Sequence, residues 1–164
     1  MLREAATIGT HPVMETSVRI FEEHRLITLT LGGLFSVAEM SRMIDGLVAD
    51  PDYCWTYDRL SFVKANSNLS EMAVPDLYTI KDKILGTVFD GVEVDPSQFP
   101  AYKNSVVCNS STNNVLVKLF DSLWKLDETP VVDMRLFEAL GPALDWLGRD
   151  PALAAIFDEE LVGV

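Results

Sequence analysis

"SVRIFEEHRLITLTLGGLFSVAEMSRMIDGLVADP", residues 17–51, holds two hydrophobic periods joined by a pair of glycines. Before Gly32, Ile27, Leu29 and Leu31 alternate with Thr28 and Thr30, the period of a strand with one face in a core. The charged run Glu23, His24, Arg25 breaks the apolar pattern upstream, so residues 17–33 read as an antiparallel hairpin. From Phe35 the period changes. Ser36 is placed to cap a helix, Glu39 to return the bond three residues on, and Phe35 to pack on Met40 as a staple. Met40, Ile44, Leu47 and Val48 then form one helical stripe. Asp50-Pro51 ends it, because proline disfavours helical geometry in the residue before it.

The rest of the chain keeps alternating. "YDRLSFV" (57–63) reads as a strand and "PDLYTIKDKILG" (75–86) as a helix, with Leu77, Ile80, Ile84 and Leu85 on one face and Gly86 as its end. Residues 86–103 form a long irregular connector. "NSVVCNSS" (104–111) is a short buried-type strand that leads into a helix carrying Leu116, Leu119, Phe120, Leu123 and Trp124, with Ser111 or Thr112 as its cap. "PVVDMRLF" (130–137) is the last strand. "ALGPALDWL" (139–147) is a helix with Leu140, Ala143, Leu144 and Leu147 inward, and Asp150-Pro151 starts a final short helix bearing Leu153, Ile156 and Phe157. Parallel strands need crossovers, so this order predicts an α/β domain: a mixed sheet of about five strands, opened by an antiparallel hairpin, with alternating helices packed on it. The expected divisions are a flexible N-terminal arm at 1–16, the domain body at 17–148, and a short C-terminal helix with an acidic tail at 149–164.

At 164 residues the chain suits one domain that buries roughly two-thirds of its unfolded surface. Its formal charge of −12 repels phosphate backbones and anionic head groups, which argues against nucleic acid and membrane surfaces as partners. No run has the length of a signal peptide core or a membrane span, so a soluble cytoplasmic protein is expected. Cys54 and Cys108 lie outside any metal-ligand spacing, and Cys108 reads as a buried small hydrophobe.

Three stretches carry a family resemblance: "LITLTLGGLFSVAEM" (26–40), "SVVCNSSTNNVLVKLFDSL" (105–123) and "RLFEALGPALDWL" (135–147). In order and spacing they resemble the anti-sigma-factor antagonist (STAS) domain, in its divergent stand-alone bacterial branch, over residues 17–148. The resemblance implies a binding module that docks on partner proteins and is switched by serine phosphorylation. The family's switch lies at the helix start after the third strand, as Asp, two small hydroxyl residues and Gly. The matching positions here are Leu69, Ser70, Glu71 and Met72, so Ser70 alone is retained as a phosphoacceptor candidate, beside a fixed negative charge.

"NSNLSEMAVP" (66–75) therefore has three readings: a structural turn, a phosphoswitch, or a ligand contact. With Pro75 near the first helical position, Ser70 belongs to the preceding loop; with Asn68 as cap, Pro75 would kink the first turns. Both polar junctions are expected at one end of the sheet, where helix N-termini offer N–H groups, and there Asn66, Ser67, Ser111, Thr112 and Asn113 are candidates to line a partner or ligand cleft. His11 and His24 fall in the arm and the hairpin turn, and Asp90, Glu93 and Asp95 are too loosely spaced for a carboxylate pair, so neither catalysis, a cofactor nor a metal is expected. Two functions remain. The first is a regulatory protein-binding module, with a twin copy among the candidate partners. The second is a carrier of a small apolar ligand, held by Met72, Phe89, Phe99 and Trp124 under the connector. A cavity above about 300 Å³ there would favour the carrier, and a filled core with an exposed apolar patch the interaction module.

Overall fold

The computed structural model describes residues 13–89, 95–109 and 111–164. Its core is a five-stranded mixed sheet in the order β1 (Met14–Phe21), β2 (Leu26–Gly33), β3 (Asp58–Val63), β4 (Tyr102–Cys108), β5 (Val132–Phe137). β1 and β2 form the antiparallel hairpin and the other neighbours are parallel. The helices are α1 (Val37–Ala49), α2 (Val74–Phe89), α3 (Ser111–Lys125), α4 (Leu140–Trp146) and α5 (Asp158–Leu161), with a 3-10 helix at Pro151–Phe157.

Every crossover from β2 to β5 steps the same way across the sheet. Right-handed connections in one direction place their helices on one face, and α1, α2 and α3 accordingly share a core with Leu31, Val63, Val106, Cys108 and Met134. The opposite face carries α4 and the 3-10 helix, packed on Leu26, Leu60, Phe62 and Val107. The strands therefore divide by parity: in β3, Arg59, Ser61 and Val63 face α1–α3, while Leu60 and Phe62 face α4. Lys81 of α2 is buried too; its Nζ donates to the Leu123 carbonyl at 2.8 Å and pairs with Asp127 at 2.9 Å, tying α2 to the end of α3.

Local signals explain most boundaries. Ser36 accepts from the Glu39 N–H and starts α1, and Asp150 accepts from the Ala152 N–H and starts the 3-10 helix. The hairpin turns through Glu22–His24, with Arg25 in the left-handed region at φ 48°. Gly33 has φ +69°, and a Cβ there would lie 2.2 Å from the Val13 carbonyl, so this position admits only glycine. Cys108 is buried as read.

Four expectations shift. β1 begins at Met14, so residues 14–16 belong to the sheet and not to an arm. α2 runs on through Gly86 to Phe89, because a glycine inside a helix costs only about 1 kcal/mol and Thr87 adds a hydroxyl bond to the Ile84 carbonyl. Ser111 and Thr112 are the first residues of α3 and not its cap. Residues 149–164 are integral to the fold: Phe157 is fully buried, edge-on to Phe21 at 5.7 Å, and Glu160 pairs with Arg19 of β1.

A Cβ at Gly86 meets nothing within 4 Å. Gly86→Ala is therefore expected to raise stability by about 0.5–1 kcal/mol in urea unfolding, and Gly33→Ala to lower it by more than that. A destabilising Gly86→Ala would mean that position 86 is not helical in solution.

Candidate functional site

The polar junctions after β3 and β4 do lie at the same end of adjacent parallel strands. At the first, the polar groups are engaged in building the turn. Ser67 Oγ donates to the Leu31 carbonyl, Asn68 exchanges backbone bonds with Gly33 and Phe35, and its Oδ1 accepts from the Ser70 N–H at 2.9 Å. Asn66 lies against the Gly32 backbone, its Oδ1 2.8 Å from where a Cβ would stand. Pro75 is the second residue of α2, and Asp76 accepts from the Ala73 N–H, so the helix starts beyond Ser70. Ser70 is an exposed loop residue. Ser111, Thr112 and Asn113 occupy the first turn of α3, and their side chains lie outside the described residues.

The fold places its most distinctive chemistry at the other end of the strands. Between the sheet and α1–α3 is a cavity of about 150 Å³. Its roof is apolar, formed by Met40, Met43 and Ile44 of α1, Leu77 and Ile80 of α2, and Leu116 and Phe120 of α3. Its floor is apolar toward the carboxyl ends of the strands, at Leu31, Val63 and Val106, and polar toward their amino ends, at Arg59, Ser61, Tyr102 and Asn104. Thr87 near the end of α2 and Tyr102 at the start of β4 complete this lining. Of the four residues expected to line a cavity, Met72 does so; Phe99 and Trp124 pack in the adjoining core, and the Phe89 side chain lies outside the described residues. Residues 90–94 of the stretch expected to cover a cavity lie outside the described residues. A second, shallower depression of about 340 Å³ lies between β1 and α1, where Thr16, Val18 and Ile20 face Leu47, Asp50 and Asp52, and the Asp50 carboxylate accepts from the Asp52 N–H.

Arg59 is only 5% exposed. Its guanidinium lies 4.0 Å over the Tyr102 ring and 5.7 Å from the Tyr53 ring. Nη2 makes one long bond, 3.4 Å, to the Trp55 carbonyl, while Nη1 is buried with no hydrogen-bond partner. Among the described residues, no carboxylate lies within ion-pair distance of it. Nearby Ser61 Oγ donates to Asn104 Oδ1 at 3.0 Å. Burial pushes the Tyr102 hydroxyl above its ordinary value of 10.0, and the Arg59 charge opposes that shift.

Other candidate groups stand apart from the cavity. His24 sits in the hairpin turn, 3.3 Å from Glu23, and His11, Asp90 and Glu93 lie outside the described residues. Asp95 accepts from the Ser97 N–H, and that bond holds its carboxyl below the usual range. Among the described residues, no three His, Cys, Asp or Glu side chains converge to hold a metal, and no helix is long and apolar enough to cross a membrane. No family model, curated protein or solved structure matches the chain.

The polar floor escaped the sequence reading, although its signal was present. Arg59 and Ser61 fall in phase with Val63, and Asn104 with Val106, so polar residues occupy inward positions of two strands that are buried on both faces.

Because the folded chain keeps the Tyr102 proton longer than the unfolded chain does, the unfolded state binds fewer protons above about pH 10 and stability falls as pH rises there. Tyr102→Phe removes that contribution. Urea unfolding between pH 8 and 11 is expected to show a shallower alkaline decline for Tyr102→Phe than for the wild type; parallel declines would mean that the hydroxyl reaches water.

Proposed function

We propose that this chain is a binding module of STAS-like type, without catalytic activity, that holds a small, mainly apolar ligand between its sheet and α1–α3. The observation that carries the reading is the 150 Å³ cavity itself. Its lining is mainly apolar, with the few polar groups, Arg59, Ser61 and Asn104, gathered at one end, the arrangement of a small-molecule site. A ligand of benzene's size is the natural occupant, since an apolar cavity of about 150 Å³ accepts benzene; drug-sized ligands, which need about 300 Å³ or more, are too large. Binding is favoured over turnover because the polar lining groups are a guanidinium, an amide and hydroxyls, with no carboxylate or imidazole among them to move a proton.

Benzene is the direct probe. It is expected to raise the melting temperature of the full chain in proportion to its concentration, and Val106→Phe, which fills the cavity from β4, to abolish the response. A flat response in the wild type to benzene and to its polar-substituted analogues alike would remove the ligand reading.

A protein partner is the second reading, favoured by Val74 and Tyr78. These residues are one turn apart on α2, 46% and 45% exposed, and follow directly on Ser70. A docked partner would bury such a pair. A photo-crosslinker at position 78 in native cells is expected to give one discrete protein adduct, and an adduct of twice the chain mass would identify a twin copy. Adducts indistinguishable from those formed at Leu126, another exposed apolar position, would count against it.

A further inference from the structure

We infer that the cavity ligand is a monocarboxylate with a compact apolar body, an aromatic or short-chain aliphatic acid whose carboxylate binds Arg59. The inference rests on the ligand reading above and names the chemical class of that ligand. A guanidinium carries its charge at every physiological pH and presents five N–H donors in a planar fork. Removing such a group from water is tolerated when an anion or a set of acceptors replaces its hydration. Among the described residues Arg59 has little of either: one carbonyl at 3.4 Å, two aromatic rings, and a buried Nη1 without a hydrogen-bond partner. The rings of Tyr53 and Tyr102 fix the guanidinium without satisfying its in-plane N–H groups, which leaves its edge free to take a carboxylate. The rest of the cavity sorts the ligand's two ends. The carboxylate would meet Arg59 and the Ser61–Asn104 pair at the amino ends of β3 and β4, and the apolar body would lie under Met40, Ile44 and Ile80. A neutral ligand would leave Nη1 unpaired, and a dianion would bring a second charge into an apolar roof.

The test compares benzoate, benzamide and benzene by calorimetry on the full chain. Wild type is expected to bind benzoate at least about tenfold more tightly than benzamide, the difference made by a charge-assisted pair. Arg59→Met is expected to erase that preference while still binding benzene. Should Arg59→Met fail to fold, labelled wild-type protein supplies the same answer: the Arg59 side-chain N–H resonances shift with benzoate and not with benzamide. Benzene binding without a benzoate preference would overturn the carboxylate inference and leave the cavity reading in place, whereas no binding of any probe would remove both. Benzoate binding that emerges only in an Asp90→Asn, Glu93→Gln double variant would put an acid of the chain itself on Arg59 and would also overturn it.

Discussion

Each central strand of this sheet serves two cores at once. β3 and β4 have helices above and below, so neither parity of their residues is free to face water, and every polar side chain in them must be satisfied inside the protein. On the α4 face the charged residues of these strands have partners, Asp58 with Arg149 at 2.9 Å and Lys103 with the Trp146 carbonyl at 3.1 Å, and buried Ser105 is small and neutral. On the other face, Arg59, Ser61 and Asn104 cluster where the sheet faces the three helices, and they line one end of the cavity there. The buried cation and the cavity thus lie side by side, because a strand covered on both faces places a charged residue at a core position.

The fold was legible because its signals are local and agree with one another. The alternation over Ile27 to Leu31, the cap at Ser36 and the stop at Asp50-Pro51 each specify an element without knowledge of the rest, and the alternation of strands with helices specifies parallel pairing after the hairpin. What failed to read correctly depended on contacts distant in sequence. Gly86 ends a helix by local rules, yet packing along Leu77, Ile80 and Ile84 carries α2 past it. Met14 looked like part of an arm because its pairing partner, Gly33, lies across the hairpin.

The site was much less legible. Sequence reasoning sought ligands at the carboxyl ends of the strands, where helix N-termini point, and after β3 Ser67 and Ser70 there take part in the bonds of a turn. Such residues serve turns and binding sites alike, so composition alone cannot separate the roles. Arg59 gave a sharper signal through its parity with Ser61 and Val63, but that signal acquires meaning only once both faces of β3 are known to be covered, which is a property of the topology and not of the stretch itself. Tyr53 and Tyr102, 49 positions apart in numbering, meet around the guanidinium only through the β3–β4 pairing.

The buried Lys81 has a mechanical consequence for the three helices over the cavity. By anchoring to the Leu123 carbonyl and Asp127, it clamps α2 and α3 into a single plate. α1 packs along α2 in turn, with Met40, Met43 and Ile44 sharing the core of Leu77 and Ile80 and the solvent-side pair of Asp45 with Lys83 at its edge. The three helices therefore form one continuous canopy, and a shift of any of them is passed to the lining of the cavity.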